Sequence, residues 1–215
     1  MEKPRNFVTG NYYHLYNRGV AKQNIFRSPK DYQALSNRFA YYLDPAIKPP
    51  ISRLTRKQLT EKLATQVKSS LIKIIQYCLM PNHFHLLVQQ SKNNGVILFI
   101  RDAIDSYTRY FNTKHERVGP IFQGRFKSVE VESDDQCIHL SRYIHLNPCA
   151  ANIANKPEDY EWSSYQSFLQ KNKSRLCNPK LILDCFKSAN EYKKFIDDYR
   201  DYMISLELVN DLILE

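Results

Sequence analysis

The segment LIKIIQYCLM at residues 71–80, followed by Pro81-Asn82 and then HFHLLVQ, constrains the fold more than any other part of the chain. Two apolar runs of strand length around a two-residue turn signal read as an antiparallel hairpin. Upstream, YYHLYNR at residues 12–18 reads as a first strand. PKDYQALSNRFAYYLDP then carries Tyr32, Leu35, Phe39 and Tyr42 at spacings of three and four, a helix that stops at Asp44-Pro45. Downstream, the pattern gives a helix from about Val96 to Asn112, a strand RFKSVEV after Gly124, and a helix from about Asp134 to Leu146. That last helix should end at Asn147-Pro148, because the residue before proline is pushed out of the helical region. The order strand, helix, strand, strand, helix, strand, helix predicts an α+β fold: a ferredoxin-like (RRM-like) antiparallel sheet with helices on one face.

Two segments stand outside that pattern. Residues 45–69 read as an insertion, a Pro-rich loop followed by a short basic helix capped by Thr55 or Thr60. Residues 176–215 read as a C-terminal helical extension behind a polar stretch at 170–176, so the main domain is expected over residues 1–170.

Charge divides the chain in the same way. Residues 1–175 hold 26 Lys and Arg against 14 Asp and Glu, whereas residues 176–215 hold 5 against 8. A polyanionic partner should therefore meet the main body, not the acidic extension. No apolar export segment opens the chain, and no run approaches the ~20 apolar residues that span a bilayer. A cytoplasmic protein with no membrane partner is expected. The five cysteines are odd in number and widely spaced, which suits reduced thiols better than disulfides or a thiolate zinc site.

His83 and His85 sit at alternate positions of the second hairpin strand, so both point to one face while Phe84 and Leu86 point to the other. An isolated H-x-H pair is more often one core histidine and one half-exposed histidine. Two imidazoles also leave a divalent ion underbound, so a metal reading requires a third donor. No cysteine is spaced to complete a zinc site. Two imidazoles, an oxygen ligand and open positions suit Mg²⁺ or Mn²⁺, the ions of phosphate chemistry.

The helix DDQCIHLSRYIHLNP supplies that donor. At ~100° per residue, Tyr143 and Asn147 lie about 40° apart and share a face beside the apolar stripe of Cys137, Leu140 and Ile144. His139 and His145 point elsewhere and read as surface or structural residues. A phenol is a weak nucleophile at its free pKa of about 10, but beside a metal-polarised phosphodiester it can attack phosphorus. With 15 tyrosines in the chain, most are packing or surface residues.

The segments YHLYNRGV, YCLMPNHFHLLV, SYTRYFNTKHERVGPIFQGRFKS, LSRYIHLNP and YEWSSY occur in this order. Over residues 8–168 the chain thereby resembles the single-tyrosine HUH transposases, specifically the REP-associated tyrosine transposases. The resemblance implies metal-dependent cleavage and joining of single-stranded DNA, often beside a hairpin, through a 5′-phosphotyrosine intermediate. It carries His83 and His85 onto the HUH pair, Tyr143 onto the nucleophile and Asn147 onto the third metal ligand.

For DNA binding, Arg125 and Lys127 are expected on one strand face near the site, with Arg18, Arg101, Arg109, Lys114 and Arg117 in flanking segments. Tyr107, Tyr110, Phe122 and Phe126 are candidates to stack on unpaired bases. The alternatives are a non-catalytic nucleic-acid-binding regulator on the same fold and a metal-dependent phosphodiesterase acting on a small molecule. Both a monomer and a homodimer fit the sequence, with Tyr143 acting in its own site or a partner's.

Overall fold

The computed structural model describes residues 6–203 apart from 47, 48, 66, 68, 173 and 175. Four strands, β1 (Tyr12–Arg18), β2 (Ile72–Met80), β3 (His83–Gln90) and β4 (Lys127–Val131), form one sheet in the order β2-β3-β1-β4. The helices are α1 (Pro29–Tyr42), α2 (Arg56–Ala64), α3 (Gly95–Lys114), α4 (Asp134–Ala150), α5 (Tyr165–Phe168), α6 (Lys180–Leu183) and α7 (Ala189–Asp197). α1 and α3 are the crossovers of two interleaved βαβ units. Each crossover leaves room for a strand of the other unit, so all neighbouring strands run antiparallel. This is the α+β, ferredoxin-like arrangement expected from the sequence, with C-terminal helices added to it.

Local chemistry sets the boundaries. α1 opens after Ser28 with Pro29 in its first turn, where the missing N–H costs nothing. Thr55, not Thr60, caps α2, in a reciprocal capping box with Gln58. Gly95 starts α3 because a Cβ there would lie 2.2 Å from the Leu71 carbonyl oxygen. At Gly19, just past β1, a Cβ would lie 2.1 Å from the Gln23 carbonyl oxygen, and the Gly19 N–H donates to Asn82 O at 2.7 Å. The end of β1 is thereby held against the β2–β3 turn.

The sheet is covered on both faces, not one. Phe84, Leu86 and Val88 of β3 join Leu15, with Leu35 and Phe39 of α1 and Phe99, Ala103, Tyr107 and Phe111 of α3, in the first core. Leu87 faces the other way and joins Ile75, Cys78 and Met80 of β2 with Ile144, Leu146, Tyr165, Tyr192 and Ile196 in a second core. β2 is apolar on both faces and β3 adds Leu87 to the second, so a single helical layer would leave that surface wet. Each large side chain so covered contributes about 1.5–3 kcal/mol.

Two element ends differ from the sequence expectation. α4 runs through Pro148 to Ala150, because Ile144 to Ala150 are all buried and that packing outweighs the local helix penalty of about 3 kcal/mol for an interior proline. β4 begins at Lys127, leaving Arg125 and Phe126 ahead of the strand. All four cysteines in the core are free thiols, as is exposed Cys185. Among the described residues no helix is long and apolar enough to cross a membrane.

Candidate active site

β3 carries His83 and His85 on the face covered by α4. β1 lies beside it, with Tyr16 opposite His85 and Arg18 opposite His83. From above, α4 lowers Tyr143 and Asn147 onto the same place; Asn147 is buried, and Tyr143 remains 40% exposed at the mouth. Because α4 continues past Pro148, Asn147 keeps its helical position one turn after Tyr143. His83, His85, Tyr143 and Asn147 line one cavity of about 500 Å³, together with Arg18 and Lys127. The Tyr143 ring stands edge-on to His85, centroids 5.5 Å apart.

The hydrogen bonds fix which atoms face the cavity. Asn82 donates its amide N–H to Lys22 O at 3.2 Å, which turns its Oδ1 to His83 Nδ1 at 2.6 Å. Asn147 directs its amide nitrogen to the Tyr143 carbonyl oxygen at 3.5 Å, which turns its Oδ1 to His83 Nε2 at 3.3 Å. Burial, helped by the charge of Arg18, pushes the His83 imidazole down to about 4 against the weaker opposing effect of Asn147. It is neutral at pH 7 and has one N–H to give. At the shorter distance Asn82 Oδ1 is the better acceptor for that proton, and with the proton there His83 Nε2 and Asn147 Oδ1 face each other as two lone pairs. A cation held between them would turn that opposition into ligation.

The donor set fits a divalent ion of the Mg²⁺ or Mn²⁺ kind: imidazole nitrogens that are neutral at pH 7 and an amide oxygen, with room left for further oxygen ligands. His85 is held well below its usual range by burial, with His83 and His14 as added causes. Among the described residues no group of three His, Cys, Asp or Glu side chains forms a metal cage.

The other sequence-selected residues divide. Arg18 and Lys127 are exposed at the cavity. Arg125 is exposed but precedes β4 and does not line it, so the strand-face argument applies to Lys127 alone. Arg109 and Arg117 line a separate shallow groove on α3, over the opposite face of the sheet. Arg101 pairs with Asp102 at 2.7 Å, and Lys114 with the buried Asp31 at 2.6 Å. Tyr107 and Phe122 are core residues, and Phe126 packs on Phe7. Tyr110 directs its hydroxyl to Asp31 at 3.3 Å. None of these four aromatics stands in the cavity; Tyr16 does. His145 is fully buried and His139 exposed beside Arg142, as expected for structural and surface residues.

Sequence reasoning passed over His14, Tyr16 and Asn82. The signal for the first two was present: in YYHLYNR, His14, Tyr16 and Arg18 alternate onto one face. His14 Nε2 lies 2.9 Å from His85 Nδ1, with the rings stacked at 5.1 Å.

The antiparallel ferredoxin-like sheet with its covering helices has counterparts among known proteins. The family described as IS200-like transposase matches residues 48–147 of the chain. Among solved structures, the REP-associated tyrosine transposase bound to a REP hairpin is similar with a TM-score of 0.57 at 13% identity. That likeness covers 83% of this chain and 94% of that one. The resemblance to REP-associated tyrosine transposases thus extends from the motifs to the fold. A candidate transposase from Deinococcus radiodurans R1 is also found, at 14% identity, covering 67% of this chain and 95% of that one, with a TM-score of 0.36. No functionally curated protein matches the chain.

Proposed function

We propose that this chain cleaves and rejoins single-stranded DNA, with Tyr143 as nucleophile and a divalent cation, Mg²⁺ or Mn²⁺, held by His83, His85 and Asn147. The observation that carries the reading is the opposition of His83 Nε2 and Asn147 Oδ1 at 3.3 Å, beside His85 and Tyr143. When bound, the cation polarises a phosphodiester and offsets the charge that builds on its oxygens. The Tyr143 hydroxyl oxygen attacks phosphorus, the phosphorus–O3′ bond breaks, and the phenolic proton is lost as the departing oxygen gains one to become a free 3′ hydroxyl. The 5′ phosphate stays on Tyr143 as a phosphodiester. One phosphodiester replaces another, so attack by a 3′ hydroxyl reverses the step and rejoining needs no ATP.

Arg18 and Lys127 hold backbone phosphates at the mouth, while Tyr16 offers a ring face to an unpaired base. Tyr143 lines the same cavity as His83 and His85 of its own chain, which supports action in cis without a second copy. A hairpin-forming repeat sequence is the proposed substrate class, since the similar transposase is bound to a hairpin.

The test uses hairpin-bearing single-stranded DNAs from the flanks of the encoding gene, labelled at either end, with Mn²⁺ or Mg²⁺. A covalent adduct that keeps the 3′-side fragment and disappears with EDTA or Tyr143→Phe is the expected result. Binding with no adduct over that substrate set would replace this reading with a non-catalytic regulator, and no binding would remove DNA as the partner.

A further inference from the structure

His83 has a partner in the hairpin turn, Asn82 Oδ1, 2.6 Å from its Nδ1, and its Nε2 faces the cavity. Among the described residues, no amide or carboxylate stands in that position at His85. Its Nδ1 meets a third imidazole, His14 Nε2, at 2.9 Å. His14 reaches it from the neighbouring strand, where it stacks between Tyr16 at 4.9 Å and His85 at 5.1 Å.

A pair of neutral imidazoles sharing one hydrogen bond has two arrangements. If His14 donates, His85 must carry its proton on Nε2, and that proton occupies the only nitrogen free to ligate. If His85 donates, Nε2 keeps its lone pair, as in His83. We propose that His14 is a positioning residue: it accepts the Nδ1 proton of His85 and thereby fixes His85 in the tautomer that binds metal through Nε2. The inference rests on the metal reading of His83, His85 and Asn147 given above, and His14 touches neither metal nor DNA. Partners of metal-bound imidazoles are commonly carboxylates, carbonyls or water. A neutral imidazole in that role orients its neighbour without adding negative charge to a site that must accept a phosphodiester.

The deciding measurement is the tautomer of His85, read from imidazole ¹⁵N shifts of the full-length, metal-free protein near pH 7.5. The expected wild-type state has the proton on Nδ1. His14→Leu removes the acceptor, so the Nε2-protonated form should appear; His14→Gln retains an acceptor oxygen and should restore the wild-type pattern. Mn²⁺ binding followed by electron paramagnetic resonance should weaken about 10–100-fold in His14→Leu and recover in His14→Gln. Protonation of His85 on Nε2 in the wild type overturns the proposal, as does an unchanged tautomer with unchanged Mn²⁺ affinity in His14→Leu. Should the wild type bind no Mn²⁺, the metal reading fails, while the ¹⁵N result still decides the role of His14. The wild-type spectrum needs no variant and stands even where His14→Leu does not fold.

Discussion

His145 Nδ1 and the hydroxyl of Tyr192 lie 2.7 Å apart, joining the helix that carries Tyr143 to a helix 47 residues further along the chain. The Tyr192 oxygen is also 2.7 Å from Ser141 Oγ, and His145 Nε2 is 2.9 Å from Ser164 Oγ. Ser164 in turn accepts the Tyr77 N–H at 3.0 Å. One buried network therefore ties α4 to α7 and to β2. Burial holds His145 well below its usual range, so the network is uncharged at neutral pH.

Tyr192→Phe tests that network. Removing the hydroxyl leaves His145 Nδ1 and Ser141 Oγ buried without their partner, a loss of about 1–3 kcal/mol. Urea denaturation should show a lower midpoint with an unchanged slope. The rate of adduct formation at Tyr143 should fall with it, since α4 loses one of its anchors. An unaltered midpoint would sink the claim that this hydroxyl holds α4 in place.

The metal donors proposed here, His83, His85 and Asn147, carry no negative charge. Affinity for hard cations follows the charge of the ligand set, so Mn²⁺ should bind weakly to the free protein and more tightly with DNA present. By reciprocity DNA should bind more tightly with Mn²⁺. Asn147→Asp should tighten Mn²⁺ binding without DNA and shrink that mutual effect. Titration calorimetry with and without an uncleavable oligonucleotide measures both, and equal Mn²⁺ affinities in the two conditions would contradict the coupling.

Stability should fall with acid in a defined window. His14 and His83 are each held at about 4 by burial, and burial also holds His85 and His145 well below their usual range. Unfolding lets them titrate near 6.5, so below that pH the unfolded chain binds more protons than the folded one. Stability is therefore full above about 6.5 and declines as the pH falls toward 4. Asp31 behaves in the usual carboxylate sense. Hydrogen bonds and charge from Lys114, Arg27 and His115 outweigh its burial and hold it at about 2, so its contribution persists above its unfolded value and is lost only below. Unfolding free energies at pH 7.5, 5.5 and 4.5 should decline in that order, and a flat profile would exclude buried neutral histidines as the cause.

DNA contacts should follow the cavity, not the overall charge. Single-stranded binding weakens with salt by about 0.7 in log–log slope per phosphate held. Arg18→Ala and Lys127→Ala should each make the slope shallower by about that amount. Arg109→Ala and Arg117→Ala, in the groove on α3, should leave the slope for a minimal cleavage-site strand unchanged. Equal effects from all four would argue for diffuse binding over the whole basic body.

Much of this architecture is legible along the chain because its signals are local. The period-2 run HFHLLVQ, the spacing of Tyr32, Leu35, Phe39 and Tyr42, and Thr55 with Gln58 act within one or two turns of backbone. The chain order of strands and helices then leaves few sheet topologies. Alternation placed His83 and His85 on one face, and helical geometry put Tyr143 beside Asn147.

Other features depended on contacts between distant residues. The helix α4 runs through Pro148 because burial against β2, α6 and α7 outweighs a local rule that sequence reading must apply. Arg125 and Lys127 look equivalent in sequence, yet strand pairing begins at Lys127 and only that residue reaches the cavity. His14 lies 71 residues from His85, and nothing near either of them indicates the other. The sequence by itself determined which residue types could ligate, attack or hold phosphate, since those are properties of side chains and short spacings. Tertiary structure alone decided which of them meet, because a hydrogen bond across a sheet exists only once the strands have paired.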